Sequence, residues 1–99
     1  MIPIDFTAEL WLWQSEKGAW HFLTVPSEES EALRLFSPEA GRGFGSVRVR
    51  ATIGGSTWKT SVFPSKERGG YILPVKKAVR SAEGLNVGSR AQVTLEVEL

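Results

Sequence analysis

The sequence predicts a mainly β protein, a small closed or split β-barrel of about six to seven strands with two short helices. Apolar and polar residues alternate over residues 6–13 and 90–99, which is the period of a half-buried strand. The pair Gly54-Gly55 separates two further β-like runs and is typical of a two-residue hairpin turn. Two stretches with helical spacing interrupt this pattern, and many short strands with few helices favour a barrel.

The chain of 99 residues is expected to form one domain over residues 1–99. It contains no cysteine, which excludes disulfides, thiolate metal sites and a cysteine nucleophile. The first residues do not resemble a signal peptide, and no apolar run approaches the ~18 residues of a membrane span. We therefore expect a cytoplasmic protein that does not enter a membrane.

The net charge of +1 conceals an uneven distribution. Residues 1–40 carry seven acidic and two basic residues, a sum of −5, whereas residues 41–99 carry ten basic and four acidic residues, a sum of +6. Such a division is compatible with an anionic partner for the basic part. The alternative is that the two halves interleave in space and neutralise each other.

Residues 6–13 and 20–25 are predicted to form a first hairpin, with a polar turn at residues 14–18. In the first strand one face carries Phe6, Ala8, Leu10 and Leu12, and the other carries Thr7, Glu9, Trp11 and Trp13. Both faces hold large apolar groups, so a helix of the domain or a partner is expected to cover each face.

A helix is predicted to open at Ser27, which can cap it, and to end before Pro38. Its apolar edge consists of Ala32, Leu33 and Phe36. The following run, Gly41 to Gly45, lacks the spacing of phosphate-binding and dinucleotide-binding loops. It is interpreted as a connector.

The central hairpin has a register that follows from its turn. If Gly54 and Gly55 form the loop, Ala51 faces Trp58 on the core side and Arg50 faces Lys59 on the outer side. Two cations directly opposite each other repel. We expect an acid from elsewhere in the fold or an anionic ligand to offset this repulsion, unless the long side chains splay apart in solvent.

A strand at residues 71–73 passes through Pro74 into a second helix, which Gly84 is expected to end. The apolar stripe predicted to face the sheet consists of Val75, Ala78, Val79 and Ala82. Residues 90–99 then form the last strand, with Ala91, Val93, Leu95, Val97 and Leu99 pointing inward.

Five blocks of the chain, in order, resemble the bacterial domain-of-unknown-function family 1905. They are Trp20 to Pro26, Gly43 to Val49, Ile53 to Gly55, Trp58 to Pro64 and Tyr71 to Arg80. The resemblance implies a small bacterial β-barrel, in a family that sometimes carries a fused YdeI-like domain, and it implies no catalytic residues. Residues 71–95 also resemble AbrB-type swapped-hairpin barrels, although Ser89 stands where that pattern usually has Asp.

The sequence predicts no enzyme, no metal site and no cofactor. His21 is the sole histidine, and a lone histidine on a strand is more often a packed or surface residue than a catalytic base. No nucleophile motif and no set of ligands with metal spacing accompanies it.

A binding module for an anionic partner, such as a nucleic acid, fits the residues better. Cations would contact phosphates, and exposed rings such as Trp11, Trp13 or Phe44 would contact bases, although the four tryptophans are expected mainly in the core. The alternative is a protein-interaction domain that uses the aromatic face of the first hairpin. The candidate anion-binding residues are Arg48, Arg50, Lys59, Lys76, Lys77 and Arg80.

Overall fold

The computed structural model describes residues 3–36 and 45–98, and the strands in these residues close into a six-stranded barrel in the order β1-β2-β5-β4-β3-β6. This confirms the predicted mainly β barrel with two short helices. The elements are β1 (Ile4–Ser15), β2 (Gly18–Thr24), α1 (Ser27–Arg34), β3 (Val47–Ile53), β4 (Ser56–Ser65), β5 (Gly70–Pro74), α2 (Lys77–Glu83) and β6 (Arg90–Val97).

Two long strands close the barrel because each pairs with different neighbours along its length. The first half of β1 pairs with β6, from Ile4 opposite Leu95, and its second half pairs with β2. In the same way β4 pairs first with β3 and then with β5. All of these pairings are antiparallel.

The alternating residues fill the interior much as predicted. Phe6, Ala8 and Leu10 of β1 are buried, and so are the inward-facing residues of β6 from Ala91 to Val97. The exception is Leu12, which remains 37% exposed because it lies beyond the part of β1 that covers the core. The predicted inward position of Leu99 lies outside the described residues.

The central hairpin has the predicted register. Ala51 pairs with Trp58 and Arg50 pairs with Lys59. Gly54 adopts φ +57°, the left-handed conformation that this tight turn requires. The turn is held against α2, because the Ser56 hydroxyl donates a 2.6 Å hydrogen bond to Oε2 of Glu83.

The first hairpin turns more tightly than predicted. Only Glu16 and Lys17 form the turn, while Gln14, Ser15 and Gly18 belong to the paired strands. Polar residues on an exposed ladder keep their backbone hydrogen bonds, so composition alone placed the turn too widely.

Two of the predictions about helix α1 are wrong. Ser27 is its first helical residue rather than its cap, the cap position being Pro26, and no side chain caps this end. Leu33 is buried, but Phe36 follows the end of the helix and is 45% exposed. Pro38 and the loop from Gly41 to Phe44 lie outside the described residues.

Helix α2 begins at Lys77 and ends as predicted at Gly84, whose φ of +64° allows the Leu85 amide to donate to the Arg80 carbonyl. The predicted apolar stripe is half wrong. Val75 and Val79 are buried, whereas Ala78 and Ala82 are exposed. A helix of seven residues that packs on β4 buries only one edge.

No helix in residues 3–36 or 45–98 is long and apolar enough to cross a membrane.

Candidate functional site

Three of the candidate cations lie on the outer face of β3 and β4, where they meet Glu96 of β6 and Glu98, which directly follows that strand. Arg50 contacts Glu96 at 2.8 Å between Nη2 and Oε1. Glu98 forms ion pairs with two cations: its Oε1 lies 3.2 Å from Nε of Arg48, and its Oε2 lies 3.7 Å from Nζ of Lys59. An acid from elsewhere in the fold therefore offsets the Arg50–Lys59 repulsion, as the sequence allowed. We call this set of five residues the paired face.

The paired face is largely neutralised. Three cations against two carboxylates leave one positive charge, and every partner is at least one third exposed. Arg48 and Arg50 are thus engaged with carboxylates. Lys59 has the longest contact and extends toward a second feature of the molecule.

That second feature is a cleft in the barrel wall. Strand β5 ends at Pro74, so none of the strands in residues 3–36 and 45–98 lies between the start of β2 and the middle of β4. Val75 and the approach to α2 fill the space only in part, which leaves a cleft of about 260 Å³. We call it the cationic cleft, and its lining is Ala19, Trp20, His21, Trp58, Lys59, Thr60, Pro74, Val75, Lys76 and Arg80.

Three of the six predicted cations converge on this cleft, namely Lys59, Lys76 and Arg80. Among the residues that the structure describes, no aspartate or glutamate lines it. Lys77 is exposed at the start of α2 and does not line the cleft. The predicted residues therefore form two groups that share Lys59, rather than one continuous surface.

The backbone holds Arg80 and His21 at the cleft. The Arg80 Nε donates a 3.1 Å hydrogen bond to the Val75 carbonyl. The Val75 amide in turn donates a 2.9 Å bond to the His21 carbonyl, which extends the β2–β5 ladder by one residue. These two bonds join the Arg80 side chain and the His21 backbone to the same residue, Val75.

His21 reports on the electrostatics of the cleft. Partial burial, and secondly the positive charge of Arg80, lower its pKa below the ordinary value of 6.5. The imidazole is therefore neutral at pH 7. Burial is the larger of these two causes, and the nearby guanidinium of Arg80 adds to it.

A second concavity adjoins the cleft on the outside of β1, β2, β5 and β4. It has a volume of about 500 Å³ and is predominantly apolar. We call it the aromatic groove, and its lining is Trp11, Trp13, Trp20, Phe22, Phe63, Ser65, Glu67, Ile72 and Pro74.

The rings of the groove are arranged in two rungs of the β1–β2 ladder. Trp13 and Trp20 have centroids 5.3 Å apart, and Trp11 and Phe22 have centroids 5.1 Å apart. The Arg68 guanidinium lies 3.5 Å over the Trp11 ring. The Trp11 Nε1 donates to the Thr24 hydroxyl at 2.9 Å, which fixes that ring in place.

The groove is open to solvent. Trp13 and Trp20 are each 45% exposed, so α1 does not cover this face of the hairpin. The prediction that the tryptophans belong mainly to the core is correct only for Trp58, which is buried. Tryptophans on the outer face of a closed barrel have no interior to enter.

Sequence reasoning did not select His21, Trp20, Phe22 or Arg68 as binding residues. The aromatic rungs could have been found from the turn, because a two-residue loop at Glu16 and Lys17 pairs Trp13 with Trp20. The cleft carried no such signal, since it depends on β5 ending early between two strands distant in sequence.

A protein-family model matches residues 6–95, which is nearly the whole chain and includes both concavities. The chain belongs to the family described as "Domain of unknown function (DUF1905)". The resemblance inferred from the five sequence blocks is thereby confirmed. No curated protein matches the chain. Within the described residues no group of three or more His, Cys, Asp or Glu side chains could hold a metal ion.

Proposed function

We propose that this DUF1905 domain is a non-enzymatic binding module for an anionic partner, a nucleic acid, and that the cationic cleft receives a phosphate. The observation that carries the proposal is the convergence of Lys59, Lys76 and Arg80 on one concavity whose described lining contains no carboxylate. Lysine and arginine side chains supply the contacts to phosphate that dominate the affinity of proteins for nucleic acids.

The cleft differs from an ordinary solvated basic surface in two ways. Arg80 is half-buried and anchored by its bond to Val75, so its guanidinium loses little freedom when an anion binds. The positive charge of Arg80 contributes, after burial, to the lowered pKa of His21, so Arg80 and the imidazole interact at this cleft. Both features support a site for a phosphate group.

The test is the affinity for a fluorescently labelled thymidine oligonucleotide of about twelve nucleotides at ~50 mM salt, measured by anisotropy. Lys76→Glu is expected to weaken binding about tenfold and to reduce the slope of log K against log salt by roughly 0.7, the value of one phosphate contact on a single strand. An oligonucleotide and thymidine monophosphate, compared at equal concentration, distinguish a strand from a free nucleotide.

Arg90→Glu is the matched control, because it makes the same change of charge on the exposed face of β6, away from the cleft. Equal losses in the two variants would show that only net charge matters. No binding by the wild-type protein at ~50 mM salt would refute the nucleic-acid proposal.

The second candidate function is protein interaction through the aromatic groove. It is favoured by the exposure of Trp13 and Trp20 beside Phe63 on one apolar face. A self-associating domain would be a dimer by light scattering and would become a monomer on Trp13→Ser. A wild-type protein that remains a monomer at every concentration would exclude self-association.

A further inference from the structure

The aromatic groove and the cationic cleft adjoin each other. Trp20 and Pro74 line both, so Trp20 stands at the boundary between them. A ligand with a phosphate in the cleft would place its next chemical group against the Trp20 ring. The groove therefore belongs to the same binding surface as the cleft.

Positive charge flanks the rings on both sides. Lys76 and Arg80 lie on the cleft side of Trp20. Arg68 lies over Trp11, which is two residues before Trp13 in β1 and is the partner of Phe22. One acid, Glu67, also lines the groove, next to Arg68 in sequence. Cations at both ends of a row of rings complement a chain whose phosphates alternate with flat apolar groups.

The rings themselves suit flat ligands. Trp13 and Trp20 are tilted by 47° to each other, and almost half of each side chain is exposed. The planar guanidinium of Arg68 at 3.5 Å shows that a flat group reaches stacking distance of a ring in this groove.

We propose that the aromatic groove stacks the unpaired bases of a single-stranded nucleic acid whose backbone phosphate occupies the cationic cleft. This inference rests on the proposed function and specifies its ligand. Bases in a duplex are stacked on each other and cannot present their faces to protein rings, whereas every unpaired base can. The groove thus selects single strands and tolerates different sequences.

The experiment compares two oligonucleotides with the same number of phosphates, one of thymidine and one of abasic residues. Both bind through the cleft, but only the thymidine strand can stack. We expect the thymidine strand to bind about tenfold tighter per stacked base and to quench tryptophan fluorescence. A thymidine–adenosine duplex is expected to bind no better than the abasic strand.

Two variants test whether the preference for the thymidine strand arises in the aromatic groove. Trp13→Leu keeps an apolar side chain but removes the ring, and Trp13 lines the groove without lining the cleft. It is expected to lower the affinity for the thymidine strand about tenfold and to leave the affinity for the abasic strand unchanged. Phe36→Ala removes an equally exposed ring outside the groove, and it is expected to change neither of these two affinities. Thermal melting verifies that each variant folds.

The outcomes separate the two proposals. Equal affinity for the thymidine and abasic strands would overturn base stacking and leave phosphate binding standing. Failure to bind either strand would overturn both. A stable dimer that excludes the oligonucleotide would overturn base stacking and assign the groove to a protein partner.

Discussion

His21 combines an inner-facing position on β2 with the cations of the cationic cleft. The charged groups that face it there are Lys59 of β4, and Lys76 and Arg80 at α2, all of them positive. Burial and Arg80 lower its pKa, so the folded protein binds a proton less readily at this site than the unfolded chain does. A change of charge beside the imidazole is expected to move this pKa again.

The titration of His21 gives the first prediction at this scale. In the free protein, proton NMR of this sole histidine is expected to show a midpoint below 6.5. A bound oligonucleotide brings negative charge and should move the midpoint upward, so that binding takes up protons and tightens as the pH falls. A midpoint unchanged by saturating oligonucleotide would contradict a phosphate beside His21.

The same pKa has a consequence for stability. Because the folded pKa is lower than the unfolded one, the contribution of His21 to the free energy of unfolding is fully present above pH 6.5. It decreases as the pH falls toward the folded pKa. His21→Asn should remove that part of the pH dependence in urea titrations, while the acidic residues continue to titrate at lower pH.

Among the elements, α1 is joined to the barrel by a buried hydroxyl in addition to the buried side chain of Leu33. Ser30 is almost fully buried, donates to the Val25 carbonyl at 3.0 Å and accepts from the Tyr71 amide at 3.0 Å. It thereby joins the helix to the start of β5. The close approach leaves no room for a side chain at Gly70, where a Cβ would collide with Ser30.

Ser30→Ala is expected to lower the free energy of unfolding by about 1–3 kcal/mol. The reason is that the Tyr71 amide and the Val25 carbonyl lose their hydrogen bonds to the buried hydroxyl. Chemical denaturation measures the change. Ser27→Ala is the matched control, since Ser27 is exposed and provides no cap, and it should shift stability by less than about 0.5 kcal/mol. Equal losses in the two variants would argue against a special role for the buried hydroxyl.

The sequence pattern correctly predicted elements whose structure depends on neighbouring residues, such as the central hairpin. Gly54 and Gly55 determine the turn, and the turn determines that Arg50 lies opposite Lys59. By contrast, the pairing of Arg50 with Glu96 requires β3 to lie beside β6, more than forty residues away in the chain. Nothing in the sequence pattern of either strand specifies that neighbour, so the acid that offsets the repulsion was expected but not identified.

The same distinction explains what was missed at the site. The three cations of the cleft were selected from the sequence, but their convergence depends on where β5 ends relative to β2 and β4. The exposure of Trp13 and Trp20 follows from closure of the barrel, which alternation along one strand does not reveal.

For the whole molecule, the paired face limits the electrostatic attraction of an anionic strand. Glu96→Gln together with Glu98→Gln raises the net charge from +1 to +3 and releases Arg48, Arg50 and Lys59. We expect tighter oligonucleotide binding with a steeper salt dependence, measured as log K against log salt.

The cost to stability of this double variant should be small, about 0–1 kcal/mol per pair, because the pairs are solvent-exposed. The matched control is Glu16→Gln together with Glu28→Gln, which changes the net charge by the same amount at exposed positions outside the paired face. An unchanged salt slope in the double variant would show that bound strands do not pass over this face.

The double pairing of β1 also determines when the barrel can close during synthesis. The first half of β1 has β6 as its partner, and Thr94 donates to Asp5 across 89 positions of the chain. A nascent chain therefore emerges with the inner residues Ile4, Phe6 and Ala8 on an unpaired strand edge until almost the entire domain has left the ribosome. Slow, late closure is the expected result of so non-local a contact.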